Sequence, residues 1–539
     1  GHPRIVSGPE GSFYLGATSD AIDAGSMLAA DMCFTTGSGT LCMHFMTTNT
    51  SNSADAGTLD VGVHRGPLPR TIDVPGDYAT IQAALDAANE GDTVQLGRQK
   101  FSGPGNRDLD FHGKAVTLRG DPADPSGYVL DIEGSSSEVW RGIWFHSGEG
   151  PDSVVEGIRI DGGYATDTGG GIKCEGSSPS LLNVEIRNCY AVVDGGGIAC
   201  HDYSSPVLDG CLINSNEAGD DGGGLYAHNF SSPDIDDTVF RHNDCNGRGG
   251  GALFVVNSFP TVDNCRFNDN TANEGGGMAF VYAYGPVTDC LIYQNFVSGT
   301  GGGVQCYGNA QCTFTRCTIV MNDAPVGGGA GVWCRNNSSP TFENTIIAFN
   351  IDGQAVGRYT DDCNPTFACC DIFGNDGGDW VGSIEDFYKI DGNFAGDPYF
   401  CNPGLFDFTL VNFSLCLAAL NPGCGQIGAM GVGCAMSPVP EDLPQEPVAR
   451  LVGCYPNPFN PVTTVKYEIS AASPVDLRLF DLAGRLVKVL KDGVVEQPGL
   501  HETTWNGLDE NGRRVAAGVY VVRLEVGAHG DVMRVALVK

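Results

Sequence analysis

The sequence predicts an all-β protein: a right-handed parallel β-helix of about 27 residues per coil, followed by a small antiparallel β-sandwich. Three observations predict it. A Gly-Gly-Gly-type step recurs at Gly169, Gly195, Gly222, Gly249, Gly275, Gly301 and Gly329, the last reading Gly-Ala-Gly. A short stretch alternating apolar and other residues follows each step, which is the period of a strand with one buried face. Past residue 450 the repeat stops and longer alternating stretches with turn pairs take over.

Within each unit a proline falls about ten residues after the glycines: Pro179, Pro206, Pro233, Pro260, Pro286 and Pro340, with Cys312 standing in once. An asparagine comes next, at Asn188, Asn216, Asn243, Asn270, Asn295, Asn322 and Asn350. The expected inward pairs are Ile172/Cys174, Ile198/Cys200, Leu225/Ala227, Ala252/Phe254, Met278/Phe280, Val304/Cys306 and Val332/Cys334. Strands this short, separated by Gly, Asn, Asp and Ser-Pro turns, make one three-strand coil per unit. A left-handed hexapeptide helix needs about 18 residues per coil and does not fit. Right-handed winding is the default for parallel connections.

The repeats resemble the right-handed parallel β-helix of the pectin-lyase-like superfamily, in its secreted bacterial form. The entry from Thr71 to Val94 carries the likeness. The resemblance implies a first strand and an amphipathic helix near 78–90 that caps the open end. Tyr78, Ile81, Leu85 and Ala88 share a helical face, and Gly91 is the expected stop.

The domains read as 1–66, an N-terminal segment resembling a β-helix end; 67–434, the β-helix; 435–450, a Pro-rich linker; and 451–539, the sandwich. Phe13–Gly25 and Asp60–His64 resemble the way such solenoids finish, and so do Phe408–Leu417 and Gln426–Cys434. Two endings face one entry. Either the chain is a fragment of a tandem protein, or its first segment completes a neighbouring subunit or folds back on its own.

The last domain opens with Tyr455-Pro-Asn-Pro and carries Phe480-Asp-Leu-Ala-Gly-Arg, Trp505-Asn-Gly-Leu-Asp-Glu-Asn-Gly-Arg and Gly518-Val-Tyr. It is similar to the immunoglobulin-like domain of flagellar hook-capping proteins and to type IX secretion sorting domains. That likeness implies export and surface display or assembly. The expected strands are 464–469, 475–480, 486–490, 501–505, 518–526 and 532–538, with turns at Lys491-Asp-Gly and Glu510-Asn-Gly.

The chain of 539 residues carries 30 Lys and Arg against 65 Asp and Glu, a net charge of −35. Such acidity excludes nucleic acid and other polyanions as partners. No apolar run approaches transmembrane length, so membrane insertion is not expected. Twenty-one cysteines suit an oxidising exterior, hence an extracellular or cell-surface location. The odd count leaves at least one unpaired within the chain. Cys33 with Cys42 and Cys416 with Cys424 are disulfide candidates by proximity. Cys174 with Cys200 and Cys306 with Cys334 are candidates by stacking, although a column of buried thiols is the alternative.

Four chemistries were weighed. Asp194, Asp220, Asp221, Asp244 and Glu274 lie beside the glycine turns, where stacked carboxylates suit calcium; a solvated acidic edge is the bland alternative. No other cofactor is expected. An outward column includes Tyr226, His228, Leu253, Val255, Tyr307 and Trp333, with Ala279 and Val281. Its apolar part favours protein contact over a glycan groove. Arg187, Arg241, Arg266 and Arg316 share no repeat position, which argues against a lyase. Carboxylate pairs for a glycosidase arise by chance in so acidic a chain. Asn216, Asn243, Asn270, Asn295, Asn322 and Asn350 are expected to form a structural ladder. The reading is a secreted or surface structural protein, not an enzyme, that self-assembles into a homopolymer; a glycan-binding adhesin is the alternative, and a polysaccharide lyase or hydrolase comes third.

Overall fold

The computed structural model describes residues 69–247, 249–325, 328–435, 449–470, 472–481, 485–526 and 529–538, together with the backbone of four short strands between Ile5 and Cys42. The N-terminal ending and the linker at 436–448 otherwise lie outside the described residues. The chain divides into two compact units, Gly1–Met436 and Ser437–Lys539.

The first unit is a parallel β-solenoid. Its strands stack into ladders of twelve, eleven and nine, all parallel and in register among the central coils. A fourth ladder of six two-residue strands, Tyr164–Ala165 to Phe296–Val297, accompanies the three expected per coil. The inward residues make one continuous core from Ile72 to Ile384. Phe240 stacks on Phe267 at 5.0 Å, and Phe314, Phe342 and Phe367 stack at 5.0 and 5.1 Å. Like residues lie above like because every coil has nearly the same length.

The capping helix is shorter than expected. It spans Ile81–Ala87, with Thr80 as N-cap accepting from the Ala83 N–H, and buries Ile81, Ala84 and Leu85. Tyr78 precedes it, and Ala88 rather than Gly91 closes it, in extended conformation. Asp92 explains the early stop: its carboxylate accepts from the Asn89 N–H at 3.0 Å and holds the chain in a turn that leads to the next strand.

Three registers need correction. In the fourth unit the glycine with positive φ is Gly250, not Gly249, matching Gly169, Gly195, Gly222, Gly275 and Gly301. The strand is therefore Leu253–Val256, with Leu225 opposite Leu253 and Tyr226 opposite Phe254. One residue of slip exchanges the two faces of a strand. Leu253 and Val255 thus point into the core, fully buried, and Phe254 and Val256 take the outer face. Second, Asn188 is displaced by one position; Cys189 occupies the ladder column, and its N–H donates to Asn216 Oδ1 at 3.1 Å. Third, the cysteines pair differently. Bridges join Cys369 to Cys424 and Cys401 to Cys434. Cys416 is a free buried thiol donating to Asp371 Oδ2 at 3.3 Å. Cys174 and Cys200 are opposite each other in register, as are Cys306 and Cys334, yet all four are free. Parallel in-register strands aim both Cα–Cβ vectors the same way, whereas a disulfide needs the sulfurs to converge. Cys33 stands opposite Cys42 in an antiparallel pair, but their side chains lie outside the described residues.

After the last coil the chain folds back. Phe400, Phe408, Leu410, Leu417 and Ile427 pack on Leu291, Val320, Ile346 and Ala348, the outward residues of late strands in the eleven-stranded ladder. Cys369–Cys424 ties this segment to the coil beneath.

That cover buries Asp371, and burial pushes its carboxyl up to about 7 despite donors from Gly396 and Cys416. The folded state therefore prefers the protonated acid. Its contribution is whole below about pH 4 and is lost as pH rises towards 7, up to about 4 kcal/mol. Thermal melts should show stability falling from about pH 4 to 7, and Asp371→Asn should flatten part of that slope. An unchanged slope in the variant would exclude this carboxyl as its source.

The second unit is a sandwich of two antiparallel sheets, one of three strands and one of four. The core gathers Trp505, Tyr467, Phe459 and aliphatic residues from both sheets. An additional first strand, Ala449–Tyr455, joins the predicted six. Lys491-Asp-Gly is not a turn: the strand runs through it from Leu486 to Glu496, and register shifts opposite Val475–Arg478 absorb the irregularity.

Candidate functional site

The outer face of the nine-stranded ladder carries a groove of about 690 Å³. Strand alternation supplies its floor. From successive coils, Tyr226 and His228, Phe254 and Val256, then Val281, Tyr307 and Arg335 point outward. The glycine turns supply its rim, with Asp221, Gly247, Asn273 and Glu274. The turn is tight because backbone of adjacent coils meets there: a Cβ on Gly223 would come within 2.6 Å of the Gly251 carbonyl of the next coil.

The floor is aromatic at one end and hydrogen-bonded at the other. Tyr226 stacks on Phe254 at 5.8 Å with the planes 9° apart, and His201 lies 5.7 Å from Tyr226. Gln305 Nε2 donates to Glu274 Oε2 at 2.5 Å. Arg335 stands 3.6 Å from the same carboxylate and lies over both Tyr307 and Tyr359, at 5.6 and 4.8 Å. A guanidinium held between an acid and two rings is positioned to donate to a ligand.

Burial favours the neutral forms of Tyr226, His201 and Asp194 at the aromatic end. Burial pushes the Tyr226 hydroxyl well above its usual range, and Asp194, Asp221 and Asp220 push it further. Burial holds His201 below the ordinary imidazole value, with help from Lys173 and His228. Burial raises Asp194 to about 6 against the backbone N–H of Asp221, which favours its charged form.

The five acids proposed for a metal separate. Ligand atoms of Asp194, Asp220 and Asp221 lie within 4.8 Å of one another. Three such carboxylates fall short of the six to eight oxygens of calcium unless backbone or water completes the shell. Asp244 sits in the two-residue ladder opposite Glu217 and Thr271, and Glu274 is engaged with Gln305 and Arg335.

Of the outward residues named from sequence, Tyr226, His228 and Tyr307 line the groove. Trp333 stands opposite Gln305 in register, but its ring lies over Gly357, where a Cβ would come within 2.7 Å of it. Leu253 and Val255 do not belong to this face. Phe254, Val256, Asn273, Gln305 and Arg335 lie on it instead. The register of Phe254 and Val256 was missed because the fourth glycine step, Gly249-Gly250-Gly251, is read one place early from the sequence: Gly250, not Gly249, holds the positive φ. Of the arginines named for a lyase, Arg187 is paired with Asp161 at 3.1 Å, and Arg316 Nε donates to Asp289 Oδ1 at 2.7 Å.

Ladder and groove together define a parallel β-solenoid protein with an appended sandwich. Residues 137–285 and 261–395 match the family model of the right handed beta helix region, and residues 461–530 match the FlgD Ig-like domain. No curated protein matches the chain. Short stretches resemble two solved Porphyromonas gingivalis structures. Dimeric latent PorU is 20% identical over 19% of this chain and 10% of that one, with a TM-score of 0.16. PorZ, described as an essential bacterial surface component of the type-IX secretion system, is 24% identical over 16% of this chain and 11% of its own, with a TM-score of 0.13. The chain thus spans about a tenth of each of these proteins.

Proposed function

We propose that this chain is a secreted or cell-surface structural protein, not an enzyme, whose solenoid associates with further copies of itself. The observation that carries the export is the pair of bridges, Cys369–Cys424 and Cys401–Cys434, which staple the back-folded segment and require an oxidising compartment. The FlgD Ig-like domain supports assembly outside the cell by its likeness. The regular stack supports a structural role: successive coils repeat the same inward column and the same amide ladder, which builds a scaffold. Electron microscopy of the purified full chain tests assembly, and protease shaving of intact producing cells tests display. Discrete monomers at high concentration would count against the first, and protection from protease against the second.

A second reading, a glycan-binding adhesin, is favoured by the groove itself. Asn273, Gln305, Glu274 and Arg335 offer donors and acceptors beside Tyr307, a mixture suited to sugar hydroxyls. Glycan-array binding lost on Arg335→Ala would support it.

A further inference from the structure

Outside the groove, four aromatic rings form a stack where the nine-stranded ladder passes to the twelve-stranded one, three on the turns and Tyr284 at the start of its strand. Tyr203 stacks on Phe230 at 5.5 Å, Phe230 contacts Phe259 at 6.5 Å, and Phe259 stacks on Tyr284 at 5.4 Å. Their exposures are 69%, 48%, 46% and 42%. Four consecutive coils thus present a column of large apolar groups to water. Tyr203 and Phe230 also hold φ of +65° and +60°, a region that bulky side chains rarely adopt. Asn337 holds the same conformation in the equivalent turn, at +61°, so the backbone belongs to the repeat and the exposed ring is what these coils add.

We infer that this aromatic column is a lateral contact between two copies of the chain, resting on the self-association proposed above. The rings turn their faces to one another, so mainly their edges meet solvent. A sugar stacks on ring faces, so the column does not suit one. A second solenoid does suit it, because its own rings repeat at the same coil spacing and can interleave edge to edge, as side chains of matched sheets do. Charge agrees with this occupant. A chain of net charge −35 repels its copies except where the surface is neutral. The turns bearing the rings consist chiefly of Ser, Asn and Pro, and Asp202 beside Tyr203 is hydrogen-bonded to Asn229. The exposed ring area, about 400 Å² on each copy, is half that of a standard stable interface, so each contact is weak and reversible. Many copies along one surface convert weak contacts into firm ones.

Sedimentation velocity of the full chain over a range of concentrations tests the inference. Reversible association should appear and should strengthen with added salt, since screening removes repulsion and leaves the apolar contact. Replacing Phe230→Asn and Phe259→Ser together should weaken it about tenfold or more. Asparagine tolerates the left-handed backbone at 230, so an unchanged melting temperature will show that the fold survives. Phe230→Tyr keeps the ring and should retain association. If the wild-type chain stays monomeric, the self-association reading fails and this contact with it. If it associates but the double variant does so equally, only the aromatic column is refuted. Association that weakens with salt would point to a charged interface and overturn the column as well.

Discussion

Asn270→Ala should lower the stability of the solenoid by about 3–6 kcal/mol, the largest effect expected of a side-chain truncation here. Asn270 is fully buried. Its Nδ2 donates to the Phe240 carbonyl at 3.1 Å and to Asn295 Oδ1 at 2.9 Å. Its Oδ1 accepts from both the N–H and the Nδ2 of Asn243, each at 3.0 Å. Alanine leaves the Phe240 carbonyl and the N–H and Nδ2 of Asn243 without this partner, while Asn295 Oδ1 keeps the backbone N–H of residue 270, and each buried group left unpaired costs about 1–3 kcal/mol. The same pattern runs from Asn216 to Asn350 and on to Asn375, so the loss interrupts a continuous chain of amides. Thermal unfolding measures the total, and amide exchange at Asn243 measures the local part, because a solenoid opens coil by coil. Asn188→Ala is the control. The Asn188 side chain lies on the outside and donates to Asp161 Oδ1 at 2.8 Å, and its φ of +53° suits asparagine better than alanine, so its loss should cost about 1 kcal/mol, well short of Asn270. Equal effects of the two substitutions would refute the ladder as a source of stability.

Gly223→Ala should be comparably severe, at about 3–5 kcal/mol, and should disturb the groove too. A Cβ at this position would meet the Asp244 carbonyl oxygen at 2.3 Å and the Gly251 oxygen at 2.6 Å. Both belong to backbone fixed by coil-to-coil hydrogen bonds: the Gly251 oxygen accepts from the Gly224 N–H at 3.0 Å, and the Asp244 peptide is held by its own N–H, which donates to Asn216 O at 2.9 Å. Neither oxygen can retreat without breaking a ladder. Gly150→Ala, where nothing lies within 4 Å, should cost little. Melting temperature and resistance to trypsin separate the two, and a Gly223→Ala protein as stable as Gly150→Ala would refute close backbone approach as the reason for the triplet.

The elements most legible in the sequence were those enforced by repetition. Strand positions, the inward aliphatic column and the asparagine ladder could be read because each coil states the rule again. The Ser-Ser-Pro turns hold a further ladder that was not anticipated: the N–H of Ser177 donates to Ser204, Ser204 to Ser231, and Ser231 to Ser258, each at 3.1 Å. Legibility failed wherever spacing changed by one residue. Gly249 before Gly250 exchanged the faces of a whole strand, and Asn188 was mistaken for a ladder member although Cys189 fills the column. The groove was legible in Tyr226, His228 and Tyr307, and Asp221 and Glu274 of its rim were read only as acids beside the glycine turns; Asn273 was missed because a lone turn asparagine looks like any other.

Sequence alone determined the winding of the chain: equal coil lengths, alternating faces and obligatory glycines leave a solenoid as the economical way to bury the apolar column. Tertiary structure decided which cysteines meet and which outward residues share a surface. Cys369 and Cys424 are 55 residues apart and become neighbours only when the chain folds back, whereas Cys416 and Cys424, eight positions apart, do not pair. The four rings from Tyr203 to Tyr284 become one column only when the coils stack. Pairing and surfaces depend on distance in space, and a repeat fixes that distance only for residues it brings into register.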